Sequence, residues 1–280
     1  MASRWNKHLI RRFMKKTLQL DRQLQEMDYA VVGSDEVFNH VQGVNLQLHG
    51  RLPGAKRCFT YAAACGSADA DAIPPDRIEQ VREAMRSFSA VSVRDSATAS
   101  YVSRLYEGPV YHHLDPVLVG ELYQRKPRAV PLKRYLLVYA YGQRIRSREE
   151  IHAITAYARA RGLKTVAMGG SQFWCDLYIP ASPMRLLDYF YHAQCVVTDT
   201  FHGAVFSVLH ERPFVVLSRG SNANKLTGLL ADLQLSQRRI REPGELAEIL
   251  DTPVDYAGVQ KILQEQRALS RQYLHCQLGE

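Results

Sequence analysis

A histidine that follows an apolar run is the residue of this sequence best suited to proton transfer. His202 comes after the apolar residues 195–197 and the polar turn 198–200, and before an apolar stretch that ends at Leu209. Imidazole changes its charge near neutral pH, which makes histidine the common general acid or base. The pattern places His202 at the start of a helix, where free N–H groups favour an anion. A structural histidine that bonds the backbone is the alternative.

Two further polar groups follow short apolar runs in the first half of the chain. Gly33-Ser34-Asp35 comes after residues 28–32, and Arg94 comes after residues 90–93. Asp35 could take a proton from a hydroxyl group or hold a sugar, or Ser34 or Asp35 could instead cap a short helix. The planar guanidinium of Arg94 could bind a carboxylate or a phosphate. The alternative for Arg94 is a surface ion pair with Asp95 or another neighbour.

Other chemistry-bearing groups are weaker candidates. His112 and His113 are adjacent in a predicted strand, so their rings should point to opposite faces rather than share a metal ion. The five cysteines are scattered with no metal-ligand spacing, as in reduced intracellular proteins. The turn at residues 169–171 is glycine-rich and could face a phosphate, but a glycine pair alone is weak evidence. The sequence therefore predicts no metal site.

The elements that position these residues alternate between strand and helix. The predicted strands and helices are listed here by number: strands 28–32, 57–64, 90–93, 111–114, 135–141, 163–168, 195–197 and 214–217; helices 4–27, 75–88, 96–105, 147–160, 182–192, 201–209, one from 225 and 256–274. Residues 121–133 are charged and contain two prolines, which is typical of a linker. This alternation predicts an α/β protein whose second half is a doubly wound parallel sheet.

The composition and charge of the chain indicate which ligands it could bind and where in the cell we expect it. The 280 residues carry a net charge of +8, which suits anionic ligands, and contain no nucleic-acid-binding motif. The densest basic cluster, Arg11, Arg12, Lys15 and Lys16, is read as a solvated helix face rather than a docking patch. No signal peptide or long apolar run is found, so we expect a cytoplasmic protein, with peripheral contact at the inner face of the membrane left open.

Five segments in order resemble the polysaccharide pyruvyl transferase family. They are DYAVVGSDEVFN, FTYAAACGS, VSVRDSA, HLDPVLV and VVTDTFHGAVFSVLHERPFVVL, and the resemblance extends over about residues 28–235. Each segment is weak alone, but the ordered set is fairly specific. The resemblance implies two Rossmann-like domains in a GT-B-like arrangement. Residues 1–122 would be the acceptor side, 134–255 the donor side and 256–280 a C-terminal helix that crosses back to the first domain. The family's usual glycine- and asparagine-bearing first unit is missing, so a shortened N-terminal domain is expected.

The resemblance also implies a reaction and a site. Family members transfer the enolpyruvyl unit of phosphoenolpyruvate to a sugar, often form a pyruvate ketal, release phosphate, and need no redox cofactor or obligatory metal. Arg94 and His202 match the residues expected to bind the donor and transfer the proton. Some members carry an arginine at the position of Thr200, and Lys225 could replace that contact. The predicted substrate-binding residues are Gly33, Ser34, Asp35, Asn39, Tyr61, Gly66, Thr200, Phe201, Gly203 and Lys225.

The sequence is also compatible with two other functions. A GT-B-type glycosyltransferase would use a nucleotide sugar and release a nucleotide instead of phosphate. A non-catalytic member would bind glycans or a partner enzyme; the missing first unit favours this reading, whereas the presence of both Arg94 and His202 opposes it. The acceptor sugar, its lipid or nucleotide carrier and the oligomeric state are also left open by the sequence.

Overall fold

The chain forms two compact α/β units. The computed structural model describes residues 2–17, 26–120, 126–218, 220 and 223–279. The first unit comprises Gln23–Tyr123 and Val259–Glu280, and the second unit comprises Met1–Arg22 and Gln124–Gly258.

The helices and strands follow one another in near-regular alternation. In chain order they are α1 (Ala2–Thr17), β1 (Met27–Val32), β2 (Ala55–Thr60), α2 (Pro75–Met85), β3 (Val91–Val93), α3 (Ser96–Ser103), β4 (Val110–His112), α4 (Pro116–Val119), β5 (Tyr135–Ala140), α5 (Arg148–Ala160), β6 (Lys164–Gly169), β7 (Leu177–Tyr178), α6 (Pro183–His192), β8 (Cys195–Thr198), α7 (Phe201–Leu209), β9 (Phe214–Leu217), α8 (Ala223–Asp232), β10 (Arg239–Ile240), α9 (Leu246–Asp251) and α10 (Tyr256–Leu278). Short 3-10 turns span Ala70–Ala72, Ser236–Arg238 and Pro243–Glu245.

Parallel strands form the centre of the first unit. β1 pairs with β2 and β3 pairs with β4, both in parallel. Parallel bridges from Cys58 to Phe88 and from Ala63 to Val93 bring β3 alongside β2. The core around them includes Phe38, Val81 and Met85, all of which are fully buried. Asp35 comes shortly after the carboxyl end of β1, and Arg94 comes directly after that of β3.

A parallel sheet of six strands forms the second unit. Its order is β10-β9-β8-β5-β6-β7, and every neighbouring pair is parallel. The chain passes from β5 towards β6 on one side and from β8 towards β9 on the other, so the order of strands reverses between β5 and β8. The predicted doubly wound sheet is confirmed. In open sheets of this kind, ligands bind at the carboxyl ends of the strands beside this reversal.

Local sequence signals account for several helix starts. The Ser147 hydroxyl accepts a hydrogen bond from the Glu150 N–H at the start of α5, and the Asp95 carboxylate accepts one from Thr98 at the start of α3. Pro183 lies in the first turn of α6, where its missing N–H is tolerated. These predicted starts are confirmed.

Several predicted elements differ from the observed ones at their ends. The strand predicted at 57–64 ends at Thr60, because Ala62 has a positive φ of 47° that interrupts the extended backbone. The helix predicted at 4–27 is described only as Ala2–Thr17, and residues 18–25 lie outside the described part of the chain. Residues 121–125 of the predicted linker also lie outside it.

The units differ from the predicted domains at both ends of the chain. The predicted domain 1–122 included α1, but α1 groups with the second unit, where Asn6 donates to the Gly169 carbonyl and accepts from the Ala181 N–H, each at 3.2 Å. The predicted segment 256–280 is not a separate body, although it does return to the first unit as the sequence analysis expected. From Val259 onward it groups with the first unit, where Tyr273 donates to the Thr60 carbonyl. Helical periodicity carries no information about which unit a terminal helix contacts.

Candidate functional site

The loop after β8 holds His202 at the carboxyl edge of the second unit's sheet. Helix α7 begins at Phe201, and the Thr200 hydroxyl caps it by accepting from the Gly203 N–H at 2.9 Å. This places His202 in the first turn of α7, where the positive end of the helix dipole lies. The His202 side chain is half-buried, with its ring 5.9 Å from that of Phe206. His202 therefore occupies the position that the sequence predicted for a proton-transfer residue.

Close packing explains the glycine that follows His202. A Cβ atom at Gly203 would lie 1.9 Å from the Thr198 hydroxyl oxygen and 2.8 Å from that of Thr200. Only glycine lets the first turn of α7 approach the end of β8 this closely. Gly203 and Thr200 thus position His202 through steric fit and capping. Their predicted contacts with substrate stay predictions.

Two other predicted residues of the second unit are largely buried. Phe201 is 9% exposed and contributes to the core beneath α7. Lys225 is 8% exposed and lies in α8. The predicted ligand contacts of both residues stay predictions.

Asp199 and Arg144 form a charged pair that the sequence analysis did not single out. The Asp199 carboxylate is fully buried, and its Oδ1 accepts from the Tyr141 N–H at 3.1 Å. The Nε of Arg144 lies 3.4 Å from Asp199 Oδ2. These residues follow β8 and β5, the two strands between which the sheet order reverses. An arginine shortly after a predicted strand was the signal that could have pointed to Arg144.

The glycine turn after β6 packs against the loop that carries Arg144. A Cβ atom at Gly170 would lie 2.1 Å from the Gly142 nitrogen, so the two loops meet backbone to backbone. The Gln172 amide donates to the Tyr141 carbonyl at 2.7 Å, and the Gln143 N–H donates to the Ser171 carbonyl at 3.0 Å. The glycines of residues 169–171 thus hold the neighbouring loop in place.

In the first unit, Arg94 is buried between two carboxylates. Its side chain is 2% exposed, and Nη1 donates to Asp115 Oδ2 at 2.8 Å while Nη2 donates to Asp35 Oδ1 at 2.9 Å. Asp115 is equally buried, whereas the Asp35 side chain is 52% exposed. The alternative of a surface ion pair with Asp95 is wrong, because Asp95 caps α3 instead. Direct donor binding by Arg94 stays a prediction.

The predicted turn at residues 33–35 lies where β1 ends. A Cβ atom at Gly33 would lie 2.1 Å from the Tyr61 carbonyl oxygen, so glycine is required for this close approach. Asp35 then projects its carboxylate beyond the strand. No helix follows for Ser34 or Asp35 to cap, since residues 34–38 form a bend and a turn. The exposure of the Asp35 carboxylate fits the alternative in which Asp35 takes a proton from a hydroxyl group or holds a sugar.

Asn39 and Gly66 support the same turn. The Asn39 amide donates to the Glu36 carboxylate at 2.8 Å. Gly66 has a positive φ of 68°, and a Cβ atom there would lie 2.8 Å from the Glu36 side chain. Both residues therefore lie beside Glu36, next to Asp35 in the chain. Substrate contacts by Ser34, Asn39 and Gly66 stay predictions.

Tyr61 lies in a buried aromatic group rather than on an open surface. Its hydroxyl donates to the Ser270 hydroxyl at 2.9 Å, and its ring stacks on that of His113 at 5.6 Å. Burial raises the pKa of Tyr61 and lowers that of His113 to about 4. His112 is exposed and His113 is buried, as the opposite faces of a strand predict. Among the described residues, no three histidine, cysteine or carboxylate side chains are grouped closely enough to hold a metal ion.

Two solved structures have folds similar to that of this chain. A UDP-forming α,α-trehalose-phosphate synthase from Burkholderia xenovorans, solved with glucose-6-phosphate, has a TM-score of 0.53 at 14% identity, covering 99% of this chain and 77% of its own. A UDP-N-acetylglucosamine 2-epimerase, described as putative, from Listeria monocytogenes has a TM-score of 0.52 at 11% identity, covering 94% and 74%. These identities show the fold alone. The fold defines an α/β protein of the GT-B class.

The amino-acid sequence identifies the family, which the fold alone does not. The family model described as polysaccharide pyruvyl transferase matches residues 2–221, and the chain belongs to this family. The resemblance of the five segments is thereby confirmed. No curated protein matches the chain. Within the described part of the chain, each helix is too short or too polar to cross a bilayer.

Proposed function

We propose that this protein transfers the pyruvyl group of phosphoenolpyruvate to a sugar of a polysaccharide or glycan precursor, forming a pyruvate ketal and releasing phosphate. The observation that carries the proposal is the position of His202, in the first turn of α7 and inside the region that the family model matches. The fold supplies a sheet edge where ligands commonly bind. Membership of the family supports a transferase acting on a sugar.

The proposed chemistry needs a proton for phosphoenolpyruvate and two hydroxyl groups on the sugar acceptor. Protonation of the methylene carbon of phosphoenolpyruvate converts it to a methyl group and makes the adjacent carbon electrophilic. A sugar hydroxyl oxygen then bonds to that carbon and loses its proton. A second hydroxyl displaces phosphate, and its proton leaves with the phosphate. The steps balance without oxidation or reduction, so the proposal includes no redox cofactor and no obligatory metal.

One residue is proposed for each proton transfer of this reaction. His202 is proposed to deliver the proton to the methylene carbon, since imidazole titrates near neutral pH and the helix start favours the anionic donor nearby. Asp35 is proposed to accept the proton of the acceptor hydroxyl or to hold it by a hydrogen bond. Arg94 is proposed to fix the direction of the Asp35 carboxylate through their 2.9 Å contact.

The acceptor is proposed to be a sugar on a lipid or nucleotide carrier. A lipid carrier would bring the protein to the membrane surface. The basic face of α1, interpreted from the sequence as solvated, would then lie on the membrane, with Lys7, Arg11 and Lys15 beside Ile10 and Met14. Basic residues flanking apolar ones are typical of helices that lie on anionic lipid. Co-sedimentation with anionic but not neutral vesicles tests this contact, and equal binding to both would contradict it.

The experiment that tests the function measures phosphate release from phosphoenolpyruvate with a panel of glycan acceptors. We expect release that depends on the acceptor. Nucleotide release from a nucleotide sugar, with no phosphate from phosphoenolpyruvate, would identify a glycosyltransferase instead. Glycan binding without either product would identify a non-catalytic member.

A further inference from the structure

We propose that Arg144 is the receptor for the phosphate group of the donor, held in position by Asp199. This inference rests on the proposed function, because it names the residue of the second unit that binds one end of phosphoenolpyruvate.

Arg144 lies beside the reversal of strand order in the second unit's sheet. β5 and β8 are parallel neighbours, paired from Leu136 with Cys195 to Tyr139 with Thr198. Arg144 follows the carboxyl end of β5, and Asp199 and His202 follow that of β8. The arginine and the proposed proton donor therefore extend from adjacent strands at the edge where ligands bind in sheets of this kind.

Asp199 places a buried negative charge beside the Arg144 side chain. Its fully buried carboxylate is anchored by the Tyr141 N–H and lies 3.4 Å from Arg144 Nε. The guanidinium carbon also lies 5.1 Å from the centre of the Tyr141 ring. A guanidinium has five N–H donors in a planar fork, so it can contact a carboxylate on one edge and an oxyanion on another. The pair thus presents a preoriented arginine rather than a flexible one.

The loop that carries Arg144 is itself held firmly. Gly170 packs its backbone against Gly142, where even a Cβ atom would collide at 2.1 Å. Hydrogen bonds from Gln172 to the Tyr141 carbonyl and from Gln143 to the Ser171 carbonyl join the two loops. Holding a charged group in advance reduces the ordering cost of binding an anion.

The other candidates for this role in the second unit are less suited to it. The Thr200 hydroxyl already caps α7, and Lys225 is 8% exposed. The Arg144 side chain is 27% exposed, so it is accessible to a small anion while staying close to Asp199. A buried carboxylate at this edge would repel the donor unless a cation lay beside it, and Arg144 supplies that cation.

Calorimetric titration with phosphoenolpyruvate, inorganic phosphate and pyruvate tests the proposal. Arg144→Lys keeps a positive charge beside Asp199 but loses the fork. We expect it to weaken the binding of phosphoenolpyruvate and of inorganic phosphate by about tenfold or more, and that of pyruvate much less. Arg146→Lys is the matched control, since Arg146 lies exposed in the same loop and donates to the Gln143 carbonyl.

A second variant removes the pair as a whole. Arg144→Gln combined with Asp199→Asn leaves no unpaired buried charge and keeps an oxygen to accept from the Tyr141 N–H, so it should fold and lose phosphate binding. If wild type and Arg144→Lys bind phosphoenolpyruvate and phosphate with equal affinity, this inference is overturned but the proposed function is not. A wild-type protein that does not bind phosphoenolpyruvate would overturn the proposed function, and this inference with it.

Discussion

The guanidinium of Arg94 contacts two carboxylates, that of Asp115, which is buried, and that of Asp35, which is half exposed. Asp115 is 1% exposed and Asp35 is 52% exposed, at 2.8 and 2.9 Å from Arg94. The inner contact completes a buried ion pair, and the outer contact directs a carboxylate towards solvent. We therefore expect Arg94 both to stabilise the fold and to orient Asp35, and mutation can separate these two effects.

Removing Arg94 should destabilise the protein strongly. Arg94→Ala leaves the Asp115 carboxylate buried without its cation, and breaking such a pair typically costs about 3–5 kcal/mol. Asp35→Asn should cost much less, because the Asp35 side chain is half exposed. Denaturant unfolding of both variants measures the difference. Equal stability of Arg94→Ala and wild type would show that Asp115 finds another partner.

Asp35→Asn should lower the rate of transfer while leaving donor affinity unchanged. The amide oxygen can still accept from Arg94, but an amide cannot take a proton from the acceptor hydroxyl. A fall in kcat/KM for the acceptor of about a hundredfold is expected. Asp28→Asn is the control, since Asp28 is an exposed carboxylate of the same unit paired with Lys56. An unchanged kcat/KM would leave Asp35 with no part in the reaction.

His202→Asn should abolish most of the turnover. Asparagine keeps a hydrogen-bonding side chain at the start of α7 but cannot deliver a proton. We expect turnover to fall by roughly a hundredfold or more, with a smaller change in phosphoenolpyruvate affinity. Steady-state kinetics and donor titration are measured on a variant whose Tm matches wild type. Near-normal turnover would assign His202 a structural role only.

Gly203→Ala tests the steric account of the α7 start. Its Cβ atom would collide with the Thr198 hydroxyl, so the free energy of unfolding should fall by about 1–3 kcal/mol. Gly244→Ala is the control, because a Cβ atom there meets no atom within 4 Å. Denaturant midpoints compare the two variants. Equal effects at both glycines would contradict the close approach of α7 to β8.

Acidification should destabilise the protein through His113. Burial lowers its pKa to about 4 from the ordinary value of 6.5. Between those values the unfolded chain binds a proton that the native chain does not, so stability is lost as pH falls from about 6.5 to about 4. One histidine contributes on the order of 3 kcal/mol to this loss.

Thermal unfolding between pH 7 and 4 measures this dependence. His113→Asn should lower the Tm at neutral pH and make the decline with acid shallower. His152→Asn is the control, since His152 is exposed on α5 and its loss should leave the slope unchanged. Identical slopes for His113→Asn and wild type would assign the acid sensitivity to other groups, such as the buried His210.

Local sequence patterns were enough to predict many of the strands and helices. The apolar run 195–197, the polar turn and the helical spacing up to Leu209 predicted β8 and α7 to within a residue. Buried parallel strands are continuous apolar runs, and helix starts carry caps such as Ser147. Both signals depend only on neighbouring residues, which is why they can be read from sequence.

The partners of charged groups could not be predicted in the same way. Arg94 meets Asp35 and Asp115 from 59 and 21 residues away, and Arg144 meets Asp199 across two strands that are separated by a long stretch of chain. Such contacts depend on strand order rather than on spacing. The sequence therefore identified Arg94 and His202 as candidates but gave no sign that Arg94 is buried or that Arg144 lies near the edge of the sheet.

The most direct test of the proposed function follows the atoms of the donor into the product. The protein is incubated in deuterated water with isotope-labelled phosphoenolpyruvate and the acceptor that supports phosphate release, with His202→Asn as the comparison. We expect the labelled carbons to appear in the acceptor as a ketal, in equal amount to the phosphate released, with one deuterium in each new methyl group. Phosphate release without label in the acceptor, or label joined through an intact methylene group, would contradict it.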